Sequence, residues 1–146
     1  MDKTKAALKV VLADTFVMYF RAHSYHWNVE GSNFSEMHNF FGGIYTDLYE
    51  TVDIWAEQLR ALQEYAPISI EELYNNKTLL EDIVKPLTSN DMLLNIAVSN
   101  HTIINNLNVL FRVATEENLH NIADLAAARL DIHRKSGWMV NSYLKV

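Results

Sequence analysis

The chain has no cysteine, and only two prolines and four glycines among its 146 residues. Without thiols there can be no disulfide scaffold, thiolate metal site or cysteine nucleophile. With so little Pro and Gly there are few points at which a regular element must stop, so little of the sequence reads as loop. No apolar run approaches the roughly 18 residues that a membrane-spanning helix requires. Met1-Asp2-Lys3-Thr4-Lys5 leads into an amphipathic stretch rather than a signal-peptide core, and a cytoplasmic location is the expectation. Basic charge is also scarce: 12 Lys and Arg stand against 18 Asp and Glu, a formal charge of −6. Phosphate contacts depend on Lys and Arg, so nucleic acid is not the default partner.

What remains is an apolar share of 49% arranged in long periodic stretches, which fits one soluble domain over residues 1–146. Leu8, Leu12, Thr15, Tyr19, Ala22 and His26 recur at intervals of four and three, predicting a first helix over about 5–27. Gly31 supplies the turn after it. Asn33 followed by Glu36 resembles a capping box, and opens a second helix of roughly 30 residues. Its stripe is Phe34, Met37, Phe41, Ile44, Leu48, Val52, Trp55, Leu59 and Leu62. Gly42-Gly43 lies inside it at a cost of ~1 kcal/mol each relative to Ala, so close packing or a small kink is expected there. Residues 63–88 are too many for a plain turn, and Ser69-Ile70-Glu71-Glu72 can start a short helix through Asn75. After Pro86, Thr88-Ser89-Asn90-Asp91 begins a third long helix carrying Leu93, Ile96, Ile103, Leu107 and Leu110. A break near Glu116 to His120 precedes a last helix over about 121–144. The expected architecture is all-α: a ferritin-like four-helix bundle of two antiparallel pairs, with a short extra helix in the long crossover between the second and third helices.

Six histidines are present, and one group stands out: His26, His38 twelve residues later, then Asp53 and Glu57. Imidazole and carboxylate together suit iron, with zinc or manganese as substitutes. A hairpin through Gly31 brings His26 and His38 together, and Asp53 and Glu57, four apart, share one helix face. From His38 to Asp53 is fifteen residues, ~22 Å along a helix axis, with a rotational offset of only ~60°. The two pairs face alike but cannot hold one ion within a straight helix. Either they are unrelated, or a second subunit brings them together across a two-fold axis near Tyr45-Thr46, making two equal sites per dimer.

The segment His26-Trp27-Asn28-Val29-Glu30-Gly31-Ser32-Asn33-Phe34-Ser35-Glu36-Met37-His38 resembles the HWNVxGxxFxxxH stretch of the Dps-type miniferritins. Tyr45, Asp53, Ala56 and Glu57 keep that family's spacing, and Trp138-Met139 resembles its C-terminal pattern. The resemblance implies a twelve-subunit hollow shell and inter-subunit ferroxidase centres. It also implies oxidation of ferrous iron, often by hydrogen peroxide, and storage of a ferric mineral, which together protect against oxidative damage. Carried onto this sequence, the ligands are His26, His38, Asp53 and Glu57, while Trp27 and Trp55 flank them and either pack or take up stray oxidising equivalents. Two departures stand out. The acidic residue usual four positions after the second His is Gly42, which removes a carboxylate from the second iron position. The Gly-Asp pair that helps form the family's entry pore is Asn118-Leu119, although Asp124 occupies another expected pore position. The alternative function is a Dps-like shell or DNA-binding protein with weakened or lost ferroxidase activity.

Other candidates read more plainly. Glu117-Asn118-Leu119-His120 has the ExxH form, but di-iron bundles need it on two helices, and here it falls at a helix break. His101 and His133 are expected as surface or core residues, and His23 as a supporting residue beside His26. Lys3, Lys5 and Lys9 are the only basic arm available for DNA, on an acidic body.

Overall fold

The computed structural model describes residues 1–85 and 87–145; Pro86, read from sequence as a punctuation point, lies outside them. Four long helices, α1 (Asp2–Asn28), α2 (Phe34–Ala61), α4 (Ser89–Glu116) and α5 (His120–Leu144), are joined by two tight turns and one long crossover carrying α3 (Ile70–Tyr74). α1 packs against α2 and α4, and α4 against α5, giving the two expected antiparallel pairs.

Local chemistry sets most of the boundaries. Ser69 caps α3 by accepting from the Glu72 amide, and Thr88 with Asp91 forms a complete capping box on α4. The start of α2 differs from expectation. Asn33 makes no side-chain cap; its amide donates to Ser89 Oγ at 3.3 Å, and Glu36 accepts from the Tyr143 hydroxyl at 3.1 Å. Both groups serve tertiary contacts instead. α2 and α4 end in the same way. Gln63 (φ 60°) and Asn118 (φ 61°) adopt the left-handed conformation, and the next residues' amides reach back to Leu59 and Ala114. These are Schellman closures built without glycine. Asn118 thus turns the chain as a glycine would.

The core runs the length of the bundle. Phe41, Leu48, Trp55 and Leu59 of α2 are fully buried with Leu8, Leu12, Ile96, Ile103, Leu107 and Leu110. Phe34 departs from its predicted stripe: it is 44% exposed. α1 is buried more widely than one stripe, because Val11, Asp14, Val17, Met18 and Tyr25 are also covered. The reason is its grip on the crossover. The Asp14 carboxylate accepts from the amides of Thr78 (2.7 Å) and Leu79 (2.9 Å), from the Thr78 hydroxyl and from Asn106 Nδ2 (2.7 Å). One and a half to two helical turns further on, Arg21 donates to the Leu80 carbonyl and to Ser99, and pairs with Asp82 at 3.5 Å. The Tyr25 hydroxyl donates to Asp82 and accepts from Asn95.

α2 and α5 stand apart across a groove of about 360 Å³. They are tied by a bidentate ion pair, Arg129 to Asp47 at 2.9 and 2.8 Å. The same guanidinium donates to His133 Nε2 at 3.1 Å, so His133 carries its proton on Nδ1 and donates to Asn100 Oδ1 at 2.8 Å. Of the two histidines expected as surface or core residues, His133 is the core one, and burial together with the adjacent Arg129 pushes its pKa down to about 3. His101 is exposed.

Candidate metal centre

The turn 29–33 folds the end of α1 onto the start of α2 and stacks the His26 and His38 rings, with centroids 3.7 Å apart and planes 20° from parallel. Each ring's Nδ1 lies 2.7 Å from the other residue's backbone carbonyl. A carbonyl can only accept, so both Nδ1 atoms carry protons and both Nε2 lone pairs are left free. This is the arrangement a metal-binding imidazole needs: the outer nitrogen fixed by a hydrogen bond, the inner one a preset donor. Both rings are only partly buried.

Gly42 has a direct part in this geometry. A Cβ there would stand 3.2 Å from His26 Nδ1 and 3.4 Å from Cε1, so the Nδ1–Cε1 edge of the ring lies close against bare backbone. At Gly43 nothing lies within 4 Å. Close packing therefore explains the first glycine of the pair and not the second.

Asp53 and Glu57 are exposed on α2, and neither has a hydrogen-bond or ion-pair partner among the described residues. They are not brought to the histidines within the chain. Among the described residues no three His, Asp or Glu side chains converge closely enough to hold a metal ion. One chain thus carries two half-sets: a preorganised imidazole pair and a free carboxylate pair, ~22 Å apart along α2.

Aromatic residues surround the imidazoles. His23 stacks on Tyr45 at 3.8 Å and meets Trp27 at 4.1 Å with the planes tilted by 37°, and its Nδ1 is 3.0 Å from the Tyr19 hydroxyl. Burial, and then His26, push the His23 pKa down. Tyr45 stands edge-on to His26 at 5.1 Å, and Phe34 lies over His38 at 5.1 Å. Trp27 and Trp55 part company: Trp55 is a core residue at 1% exposure, whereas Trp27 is 57% exposed and packs only at the surface, against His23 and Phe20. Sequence reasoning gave His23 a supporting place but missed Tyr19. Its only signal was the four-residue spacing from His23, which puts both on one helix face.

Two other candidates resolve as structural. Glu117 is not a ligand: it accepts from the Thr4 hydroxyl (2.6 Å) and from the amides of Thr4 (3.0 Å) and Lys3 (3.2 Å), tying the first turn of α1 to the end of α4. These hydrogen bonds, led by the Thr4 hydroxyl, hold its carboxyl at about 2. Lys3 and Lys9 are engaged with Glu116 (3.8 Å) and Glu64 (3.1 Å), so the basic arm is helical and partly neutralised.

Comparison with known proteins adds the following. The family model described as ferritin-like domain matches residues 5–146. An uncharacterised low temperature-induced protein of Nostoc sp. is 27% identical over 135 residues, 92% of this chain and 75% of the relative. The DNA protection during starvation protein of Helicobacter pylori is 25% identical over 142 residues, 97% of this chain and 99% of the relative. The X-ray structure of Dps from Thermosynechococcus elongatus superposes with a TM-score of 0.95 at 23% identity, covering 99% of this chain and 92% of that one.

Proposed function

The chain belongs to the ferritin-like domain family, as a Dps-type miniferritin, and on that premise we propose that it binds and oxidises ferrous iron at sites shared between two subunits and stores the ferric product in a hollow shell. The observation that carries this reading is the division of ligands. A free, oriented imidazole pair and an unpartnered carboxylate pair lie on one chain, too far apart to meet. A two-fold contact about the middle of α2 sets one subunit's Asp53 and Glu57 beside the other's His26 and His38. The surface along these elements suits such a contact, since Trp27 and Phe34 near the imidazoles and Tyr49 and Ile54 further along α2 are 57%, 44%, 63% and 39% exposed. Large exposed apolar side chains at both half-sets suit an interface between subunits.

The chemistry follows from the donors. Neutral imidazoles hold a ferrous ion, and hard carboxylate oxygens stabilise the ferric ion that forms. Zinc and manganese fit the same donors and serve as substitutes. With hydrogen peroxide as oxidant, two ferrous ions supply two electrons, the O–O bond breaks, two protons are consumed and two waters leave. Removing iron and peroxide together protects the cell, in whose cytoplasm the reading places the shell; a dodecamer is the assembly proposed. A second reading, a Dps-like shell with weakened ferroxidase activity, rests on Gly42, which leaves the second iron position a carboxylate short.

Mixed assembly tests the sharing. Chains carrying His26→Ala and His38→Ala are co-assembled with chains carrying Asp53→Ala and Glu57→Ala, each inactive alone. Shared sites regain about a quarter of the wild-type ferrous oxidation at equal mixing, because half the dimers are mixed and each has one intact site. Sites built within one chain regain none, and that result sinks the proposal.

A further inference from the structure

We infer that Tyr19, with His23 as its proton acceptor, is a built-in one-electron donor to the iron site. The inference rests on the iron-oxidising reading above and on the aromatic cluster beside the imidazoles.

A phenol gives up an electron readily only if its proton can leave at the same moment, since its radical cation is a very strong acid. A useful redox tyrosine must therefore have a base within hydrogen-bond reach. In the cluster around His26, three tyrosines are candidates, and the structure separates them. Tyr19 has His23 Nδ1 at 3.0 Å. Tyr45 and Tyr49 have no side-chain hydrogen-bond partner among the described residues. For Nδ1 to accept from the phenol, His23 must be neutral with its own proton on Nε2.

The cluster also supplies the path. From His26 the steps are 5.1 Å to Tyr45 and 6.3 Å from Tyr45 to Tyr19, ring centre to ring centre. A parallel route runs from Tyr45 through the 3.8 Å stack on His23 to the bonded Tyr19 hydroxyl. Aromatic rings in near contact pass an electron hole without large motion. Trp55, buried in the core, makes no ring contact with this cluster among the described residues.

Such a donor answers a specific deficit. Peroxide is a two-electron oxidant, and a single ferrous ion supplies one electron. With glycine at position 42, a site holding one ion well lacks its second electron, and one-electron cleavage of peroxide releases hydroxyl radical. Tyr19 closes the balance. The ferrous ion gives one electron and Tyr19 the other. The O–O bond breaks, and two protons from solvent complete two waters. The Tyr19 proton crosses to His23, leaving a ferric ion, a neutral tyrosyl radical and a His23 imidazolium. A second ferrous ion then reduces the radical, the proton returns from His23, and the pair is reset.

The test uses the assembled protein loaded anaerobically with ferrous iron, mixed with hydrogen peroxide, freeze-quenched and read by electron paramagnetic resonance. Wild type gives a tyrosyl signal that decays as more ferrous iron is added. Tyr19→Phe loses it and releases spin-trappable hydroxyl radical, while Tyr49→Phe keeps it. His23→Phe, which retains the stack but removes the base, also loses it. In a second arm the iron-free protein is oxidised by flash-generated tris-bipyridine ruthenium(III). There too the hole settles on Tyr19, and Tyr19→Phe shows the loss. An unchanged tyrosyl signal in Tyr19→Phe in either arm overturns the inference, as does wild-type protein that oxidises iron with no tyrosyl signal. Absence of iron oxidation with the Tyr19 signal intact in the photochemical arm upholds the Tyr19–His23 pair and refutes only the iron reading.

Discussion

Adjacent glycines in one helix offer a matched experiment. Replacing a mid-helix Gly by Ala is worth about 1 kcal/mol through backbone entropy, provided the methyl fits. At Gly43 it fits, since nothing lies within 4 Å of the new Cβ. Gly43→Ala should therefore deliver the full gain, a rise of roughly 3 °C in Tm for a chain of this length. At Gly42 the methyl meets His26 Nδ1 at 3.2 Å, inside the ~3.5–4.0 Å of a relaxed contact. The ring has little room to retreat: it is stacked on His38 at 3.7 Å and bonded to the His38 carbonyl at 2.7 Å. Overpacking of this kind costs about 1–3 kcal/mol, which cancels or outweighs the helix gain. Displacing the ring also disturbs the hydrogen bond that orients its Nε2, and such losses lower metal affinity about 10–100-fold. Thermal melts by circular dichroism at fixed protein concentration read the first effect, and calorimetric zinc titration reads the second. If both variants gain equally in Tm and bind zinc as wild type does, the role assigned to Gly42 is wrong. A loss of stability in Gly43→Ala would instead mean that the α2–α5 groove is not open beside position 43.

Other expectations follow from single groups. Gln63 pays for a left-handed backbone that glycine adopts freely, so Gln63→Gly should raise stability by about 1 kcal/mol, read as a higher urea midpoint with unchanged slope. Asp14→Ala strands the Thr78 and Leu79 amides and should cost about 3 kcal/mol; limited proteolysis should then cut the crossover near residues 78–85, and wild-type resistance there would refute its role as the anchor. His133 is neutral when folded, with a pKa of about 3, and takes up a proton near its ordinary value of 6.5 when unfolded. Its folded pKa is the lower of the two, so stability is full above pH 6.5 and falls as pH drops toward 3, by up to about 1.4 kcal/mol per unit. His133→Gln should flatten Tm against pH in that window, and an unchanged slope assigns the acid sensitivity elsewhere.

The helices were legible because they are local. Three- and four-residue spacing marked α2 and α4, and Thr88 with Asp91 marked a cap. The burial of α1 was less legible. Asp14, Arg21 and Tyr25 lie off the apolar stripe of the first helix, yet they sit seven and four residues apart on one face. That face holds a crossover with little regular structure of its own, and only tertiary contact reveals why a carboxylate belongs inside a helix. The capping box at Asn33 failed for a related reason: Ser89 and Tyr143 competed successfully for the same side chains.

The candidate site divides along the same line. The hairpin through Gly31 brings His26 and His38 together within one chain, and sequence spacing anticipated that pairing. Asp53 and Glu57 stay ~22 Å away along α2, and the union proposed above needs a second chain, which neither the sequence nor the single-chain structure contains. What the single chain does contain is a preference. A half-site meant to be buried against its own chain would satisfy its polar atoms internally, because unpaired buried donors and acceptors are costly. Here both Nε2 atoms and both carboxylates have no hydrogen-bond partner among the described residues, while the opposite Nδ1 atoms are bonded at 2.7 Å. The backbone carbonyls thus fix the orientation of both rings without engaging the atoms that the proposed function needs as ligands. In the two-subunit site proposed above, the exposed rings of Trp27 and Phe34 would come under the partner subunit together with those atoms.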